Sequence, residues 1–155
     1  MSEPEPLWKK PMVWCVDPGA VESGIANYNG HYYSWEQYKD PEELYQYLFS
    51  CGSANRDTLL VEDFSHGGAF TLEAKKTIEI VGFIVHVAQM DGWKVVRVHK
   101  DKRLSGQGPA ARLMGDTIAT LKKDPKRKDA FSALAHCMVY YRENGEALVR
   151  DQPSA

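Results

Sequence analysis

Three carboxylates stand where apolar runs end or a helix begins. Asp17 follows the run 12–16, Glu62 lies late in the run 58–64, and Asp129 opens a long apolar-periodic segment. Carboxylates brought together repel, so a cluster of them is costly unless a cation neutralises it. Hard oxygen ligands on a rigid frame suit Mg²⁺, with Mn²⁺ as a substitute. Two such ions about 4 Å apart activate water and stabilise the leaving oxygen of a phosphodiester. Each residue also has a plainer explanation. Asp17 precedes Pro18-Gly19 and is a good turn former, and Asp129 complements the positive end of a helix. Glu62 is harder to explain, because an unpaired carboxylate in an apolar strand is expensive. Asp63, its neighbour, belongs to the opposite sheet face and is not its partner.

The elements that must position these acids follow from the hydrophobic pattern. Residues 12–16 form an apolar strand ending at Asp17-Pro18-Gly19. Residues 23–28 form a second strand, and Asn29-Gly30 turns the chain into a third over 31–38. Asp40-Pro41-Glu42-Glu43 is a strong helix start, with an Asp cap, Pro at the first position and acids at the positive end. That helix runs to about Cys51. Residues 58–64 make a fourth strand, Thr71 caps a long helix ending near Asp91-Gly92, and 93–98 make a fifth strand. Pro109 opens another helix, and the last starts at Lys128 or Asp129 and ends near Gly145. The order is β-β-β-α-β-α-β-α-α. Strands joined through helices require right-handed parallel crossovers. The expected architecture is α/β: a mixed five-stranded sheet with helices on both faces, the element order of the ribonuclease H-like fold.

A chain of 155 residues with 43% hydrophobic and 26% charged residues builds one ordinary core without staples. Residues 12–145 form that domain, between an acidic, Pro-rich arm (1–11), which is no signal peptide, and a C-terminal tail (146–155). No stretch is long and apolar enough to span a bilayer, so no membrane partner is expected. Cys15, Cys51 and Cys137 are odd in number and lack CxxC spacing, which suits a reducing cytoplasm. Cys15 and Cys137 sit in apolar runs and read as small buried hydrophobes.

The net charge of −2 conceals an asymmetry. Between Lys94 and Lys128, eleven basic residues face three acids, a segment of +8 that leaves −10 for the rest. Two clusters stand out: Lys100, Lys102 and Arg103, and then Lys122, Lys123, Lys126, Arg127 and Lys128. The second runs directly into Asp129, where basic side chains would hold phosphates beside the acids. A solvated loop is the competing reading.

Local motifs sharpen this picture. Val16-Asp17-Pro18-Gly19 followed by Ser23-Gly24-Ile25-Ala26 resembles the opening signature of RuvC-like Holliday-junction resolvases. Leu60-Val61-Glu62-Asp63-Phe64 resembles their second acidic strand, and residues 128–136 resemble their closing acidic helix. The resemblance runs in register from about residue 12 to 143. It implies a homodimeric, Mg²⁺-dependent endonuclease of DNA recombination and repair that resolves four-way junctions by paired nicks. Asp17, Glu62 and Asp129 would bind two ions and carry catalysis, leaving 5′-phosphate and 3′-hydroxyl ends. One departure matters: the family's second helix aspartate is Ser132 here, and it would hold a coordinated water. His136, roughly 10 Å beyond Asp129 along the helix, reads as a core or face-lining residue rather than a shared ligand. Asp124 is a weaker substitute for the missing acid. Small size and that missing acid are compatible with a phage-type member. The departure also leaves open a non-catalytic branched-DNA-binding protein, or a less selective nuclease on the same fold. An actin-like ATPase shares the Asp-x-Gly turn but needs a longer chain.

Two further segments are assigned by type. The Gly-rich loop 65–70 carries Phe70, placed to wedge against unstacked bases, with Phe64 as its alternative. The helix from Leu72 is apolar around most of its circumference, beyond the single stripe that one sheet needs. Ile78, Val81 and Val85 are therefore expected at a dimer interface, unless the chain's own helices cover them.

Overall fold

The computed structural model describes residues 6, 10–63 and 71–150. Strands β1 (Val13–Asp17), β2 (Ser23–Tyr28) and β3 (Tyr33–Tyr38) form an antiparallel meander. β4 (Thr58–Glu62) and β5 (Lys94–Val98) then extend the sheet in parallel from the other side of β1. The strand order is β3-β2-β1-β4-β5. The third strand starts two residues later than the alternation implies. Asn29 closes the turn with its side-chain oxygen, accepting from the amides of His31 (3.1 Å) and Tyr32 (2.7 Å). Gly30 takes the left-handed conformation that this turn requires (φ 90°).

Helix α1 (Pro41–Cys51) begins as expected: the Asp40 side chain accepts from Glu42 N at 2.9 Å, with Pro41 at the first position. Helix α2 (Leu72–Met90) is capped by Thr71, which accepts from Ala74 N at 3.0 Å. These two helices cover one face of the sheet. There Trp14, Val16, Leu59 and Val61 pack against Leu44, Leu48, Ile80 and Ile84. On the other face, Val13, Cys15, Ala26 and Leu60 pack against the C-terminal helices through Phe131, Leu134 and Cys137. The split follows from the period-2 alternation of strand side chains. Cys15 and Cys137 are both free and buried, as their apolar contexts imply.

The C-terminal third is more broken up than the sequence suggests. A 3₁₀ segment (Lys100–Gly106) leads into α3 (Gln107–Met114), so the helix begins before Pro109. A short α4 (Ile118–Lys123), capped by Thr117, comes next. The last helix, α5 (Lys128–Arg150), does not stop near Gly145 but continues five residues further. Gly in a helix interior is worth only about 1 kcal/mol against Ala, and Leu148 beyond it is buried in the second core. Tertiary packing outweighs the local signal. Among the described residues no helix is long and apolar enough to cross a membrane.

Candidate active site

Asp17 is the last residue of β1, and Glu62 is the last of β4, one step beyond the neighbouring pair Val16–Val61. Both share strand parity with residues that face α5. Asp129 lies in the first turn of α5, which crosses that same end of the sheet. The three acids named from sequence therefore come together electrostatically. Asp17 is held well above the usual carboxylate range by burial and then by the charges of Glu62 and Asp129. The nearby Ser132 hydroxyl and the charge of Arg103 offset this only in part. Asp129 is pushed up to about 6, chiefly by burial; Lys128 opposes this, while Glu22 and Glu62 add to it.

Glu62 is different because it has partners. Burial pushes its carboxyl up. His136, Arg103 and Ser132 outweigh that and leave it below the usual range. His136 Nε2–H donates to Oε2 at 2.9 Å, and Ser132 Oγ donates to the same oxygen at 3.2 Å. Arg103 Nη1 spans both carboxylate oxygens at 3.1 and 3.3 Å and also reaches Ser132 Oγ at 3.3 Å. His136 is thus a core histidine, 2% exposed, and its role is to hold Glu62. The spacing 129, 132, 136 is one helical stripe, a signal in the sequence that this side chain shares the face of the acids. Arg103 gave no such signal. Charge alone groups it with the phosphate-binding residues; it forms an ion pair with Glu62 and also lines the cleft described next.

The basic residues divide in the same way. Lys122 and Lys128 line a cleft of about 220 Å³ together with Asp17, Asp129, Ser132 and Arg103. Lys100, Lys102, Lys123 and Lys126 are exposed. Arg127 is engaged within the fold, bonded to Asp124 (2.5 Å) and Asp116 (2.9 Å), which also accounts for Asp124. A second cleft, of about 390 Å³, shares Lys128 and Asp129 and is walled by Gly19, Val21, Glu22 and Pro125. Asp63 is exposed and paired with Arg97, away from the acids. Phe64 and Phe70 lie outside the described residues.

Asp17, Glu62, Asp129 and Ser132 are a hard-oxygen donor set. Two of the carboxylates carry negative charge that burial and mutual repulsion leave uncompensated, which fits a divalent cation by chemistry. Among the described residues no three His, Cys, Asp or Glu side chains converge as an ion-enclosing group.

On α2, Val81 belongs to the chain's own core and Val85 packs against it, which leaves Ile78 (43% exposed) as the surface residue of the three. Phe83 (41% exposed) lies on the same helix, also uncovered. The breadth of the apolar surface is explained in part by the sheet below it.

No protein-family model and no curated protein sequence matches the chain. Solved structures do. RuvC of Thermus thermophilus in complex with a Holliday-junction substrate matches with a TM-score of 0.57 at 17% identity, over 86% of this chain and 96% of that one. A second Thermus thermophilus RuvC structure matches with a TM-score of 0.53 at 15% identity, with the same coverage. With the sheet order, the two helical layers and the position of the last helix all in hand, the chain has the ribonuclease H-like fold of the RuvC resolvases.

Proposed function

We propose that this chain is a structure-selective DNA endonuclease that resolves four-way junctions by paired symmetric nicks. The observation that carries the reading is that Asp17 and Asp129 line one cleft with Lys122 and Lys128, with the charge of Glu62 felt by both acids. The fold shared with a junction-bound RuvC supports the same substrate class. Asp17, Glu62 and Asp129, with Ser132 between them, would hold two Mg²⁺ ions, which supply Lewis acidity and lower the pKa of the attacking water. Lys122 and Lys128 neutralise the scissile phosphate and its neighbour, and the exposed lysines around them track the strand and make binding salt-dependent. His136 keeps Glu62 aimed at the site. Unpaired cysteines suit work in a reducing cytoplasm.

One observation favours a second reading, a branched-DNA-binding protein without catalysis. Arg103 sits on Glu62 and Ser132 stands where a fourth acid is expected. Incubating the protein with an immobile four-way junction, with and without Mg²⁺ or Mn²⁺, separates the two. Paired nicks on opposing strands that need the metal support the nuclease, and tight binding without nicks under either ion supports the alternative. Linear single strands cut as fast as junctions would indicate a less selective nuclease.

Two symmetric cuts require two copies, and the exposed apolar side chains of α2 are suited to pairing them. We expect sedimentation to give twice the 17.5 kDa chain mass. Ile78→Arg should return the protein to a monomer and turn paired cuts into single nicks, since a buried unpaired charge costs several kcal/mol at an interface. A wild-type monomer at micromolar concentration would rule out this face as a stable interface.

A further inference from the structure

Gln37, on the edge strand β3, makes four hydrogen bonds that converge on the start of α5. Its Oε1 accepts from the amides of Asp129 (3.0 Å) and Ala130 (3.2 Å). Its Nε2 donates to Glu22 Oε2 (2.7 Å) and to the carbonyl of Pro125 (3.0 Å). The first amides of a helix have no partner within it, and the residue before the helix ordinarily supplies an acceptor. Here that residue is Arg127, whose side chain has only donors and is turned to Asp116 and Asp124. Gln37 therefore caps α5 from another strand, some 90 residues earlier in the chain.

The strand register makes this more than a cap. Asp17 pairs with Gly24 across β1–β2, and Gly24 pairs with Gln37 across β2–β3. The three residues form one row on the face that carries α5. One end of the row is an acid of the site, and the other grips the backbone of Asp129. The same amide ties in Glu22, from the loop after β1, and Pro125, from the loop between α4 and α5.

We infer that Gln37 is a positioning residue that registers Asp129, and the loop joining α4 to α5, against Asp17. This rests on the nuclease reading for its kinetic consequence but not for its structural one. In Gln37→Leu the shape is nearly kept while all four bonds are lost. In the double variant Glu22→Gln with Gln37→Glu the donor and acceptor trade places. The carboxylate at position 37 still accepts both helix amides, and the bond to position 22 is restored with opposite polarity; only the bond to the Pro125 carbonyl is lost, since a carboxylate has no donor.

The test measures single-turnover cleavage of an immobile four-way junction, the Mg²⁺ concentration at half-maximal rate, and junction affinity. Gln37→Leu is expected to cut about 10- to 100-fold more slowly and to need several-fold more Mg²⁺, with affinity within about twofold. The double variant should recover most of the rate. A Gln37→Leu rate within about twofold of wild type, or a double variant no better than Gln37→Leu, overturns the assignment. So does an equal loss of affinity and rate, which would mark a general folding defect. If the wild-type protein cuts no junction, the nuclease reading fails, and amide hydrogen exchange decides the structural assignment alone. The Asp129 and Ala130 amides should then exchange about tenfold faster or more in Gln37→Leu while core amides of β1 do not change, and unchanged exchange overturns it.

Discussion

Asp17→Asn is expected to abolish junction cleavage, by about 10³-fold or more, while making the metal-free protein more stable. The two effects share one cause. Asp17 sits at the end of β1 with its charge opposed by burial and by Glu62 and Asp129, so the ionised carboxylate is a strained group that a bound cation would relieve. Asparagine keeps the shape and removes the charge. Junction affinity should be nearly unchanged, because the lysines that would hold phosphate are separate residues.

The raised and lowered carboxyls give the fold's stability a pH dependence of definite sign. A carboxyl whose folded pKa lies above its unfolded value destabilises the fold at high pH, and this penalty is relieved as pH falls through the folded value. Asp129, at about 6, and Asp17, also raised, both act this way. Glu62 acts oppositely: its pKa is lowered, so its contribution is present above the unfolded value and is lost as pH falls through the folded one. The Tm measured in a chelator should therefore rise from about pH 7.5 to about pH 5 and fall again below about pH 4. Asp17→Asn should show a shallower rise from a higher starting point, and added Mg²⁺ should raise the wild-type Tm most at the alkaline end. A wild-type Tm that is flat or falls between about pH 7.5 and 5 would remove the electrostatic basis of the site.

The sequence exposed the parts of this site that lie at element ends. Asp17 is marked by the Pro18-Gly19 turn, Glu62 by its place in an apolar strand, and Asp129 by the helix it opens. Alternation also assigned Asp63 to the other side, and it is found exposed with Arg97. Arg103 and Gln37 were not legible, because their partners are 41 and 92 positions away and no periodicity links them. Charge alone groups Arg103 with the phosphate-binding lysines, but the ion pair with Glu62 depends on the 3₁₀ turn (Lys100–Gly106) that carries it. Val81 was misplaced for a related reason. An all-round apolar helix does not reveal which of its sides the sheet has already taken, and the sheet takes that of Val81. Gly145 misled in the opposite direction, since a local helix breaker gave way to the burial of Leu148.

The second large effect is expected at Gly24, a residue of the opening motif that carries no chemistry. A Cβ there would lie 2.1 Å from the carbonyl carbon of Asp129, 2.2 Å from Ala130 N and 2.4 Å from Asp129 O. All three are backbone atoms, which cannot swing aside as a side chain can, so α5 must lift from the sheet. Overpacking of this kind costs about 3 kcal/mol. At roughly 2–4 °C per kcal/mol for a chain of this size, Gly24→Ala should lower the Tm by about 6–12 °C. Cleavage should fall by about 10²-fold even well below the new Tm, because the first turn of α5 carries Asp129 away from Asp17. Gly108→Ala is the control: a Cβ there meets nothing within 4 Å, and both stability and cleavage should stay close to wild type. Since Gly24 lies in register between Asp17 and Gln37, its variant and Gln37→Leu should displace the same helix end by different means. Full cleavage by Gly24→Ala would show that α5 can move without separating the two acids, and the sheet register would no longer explain how the site is set.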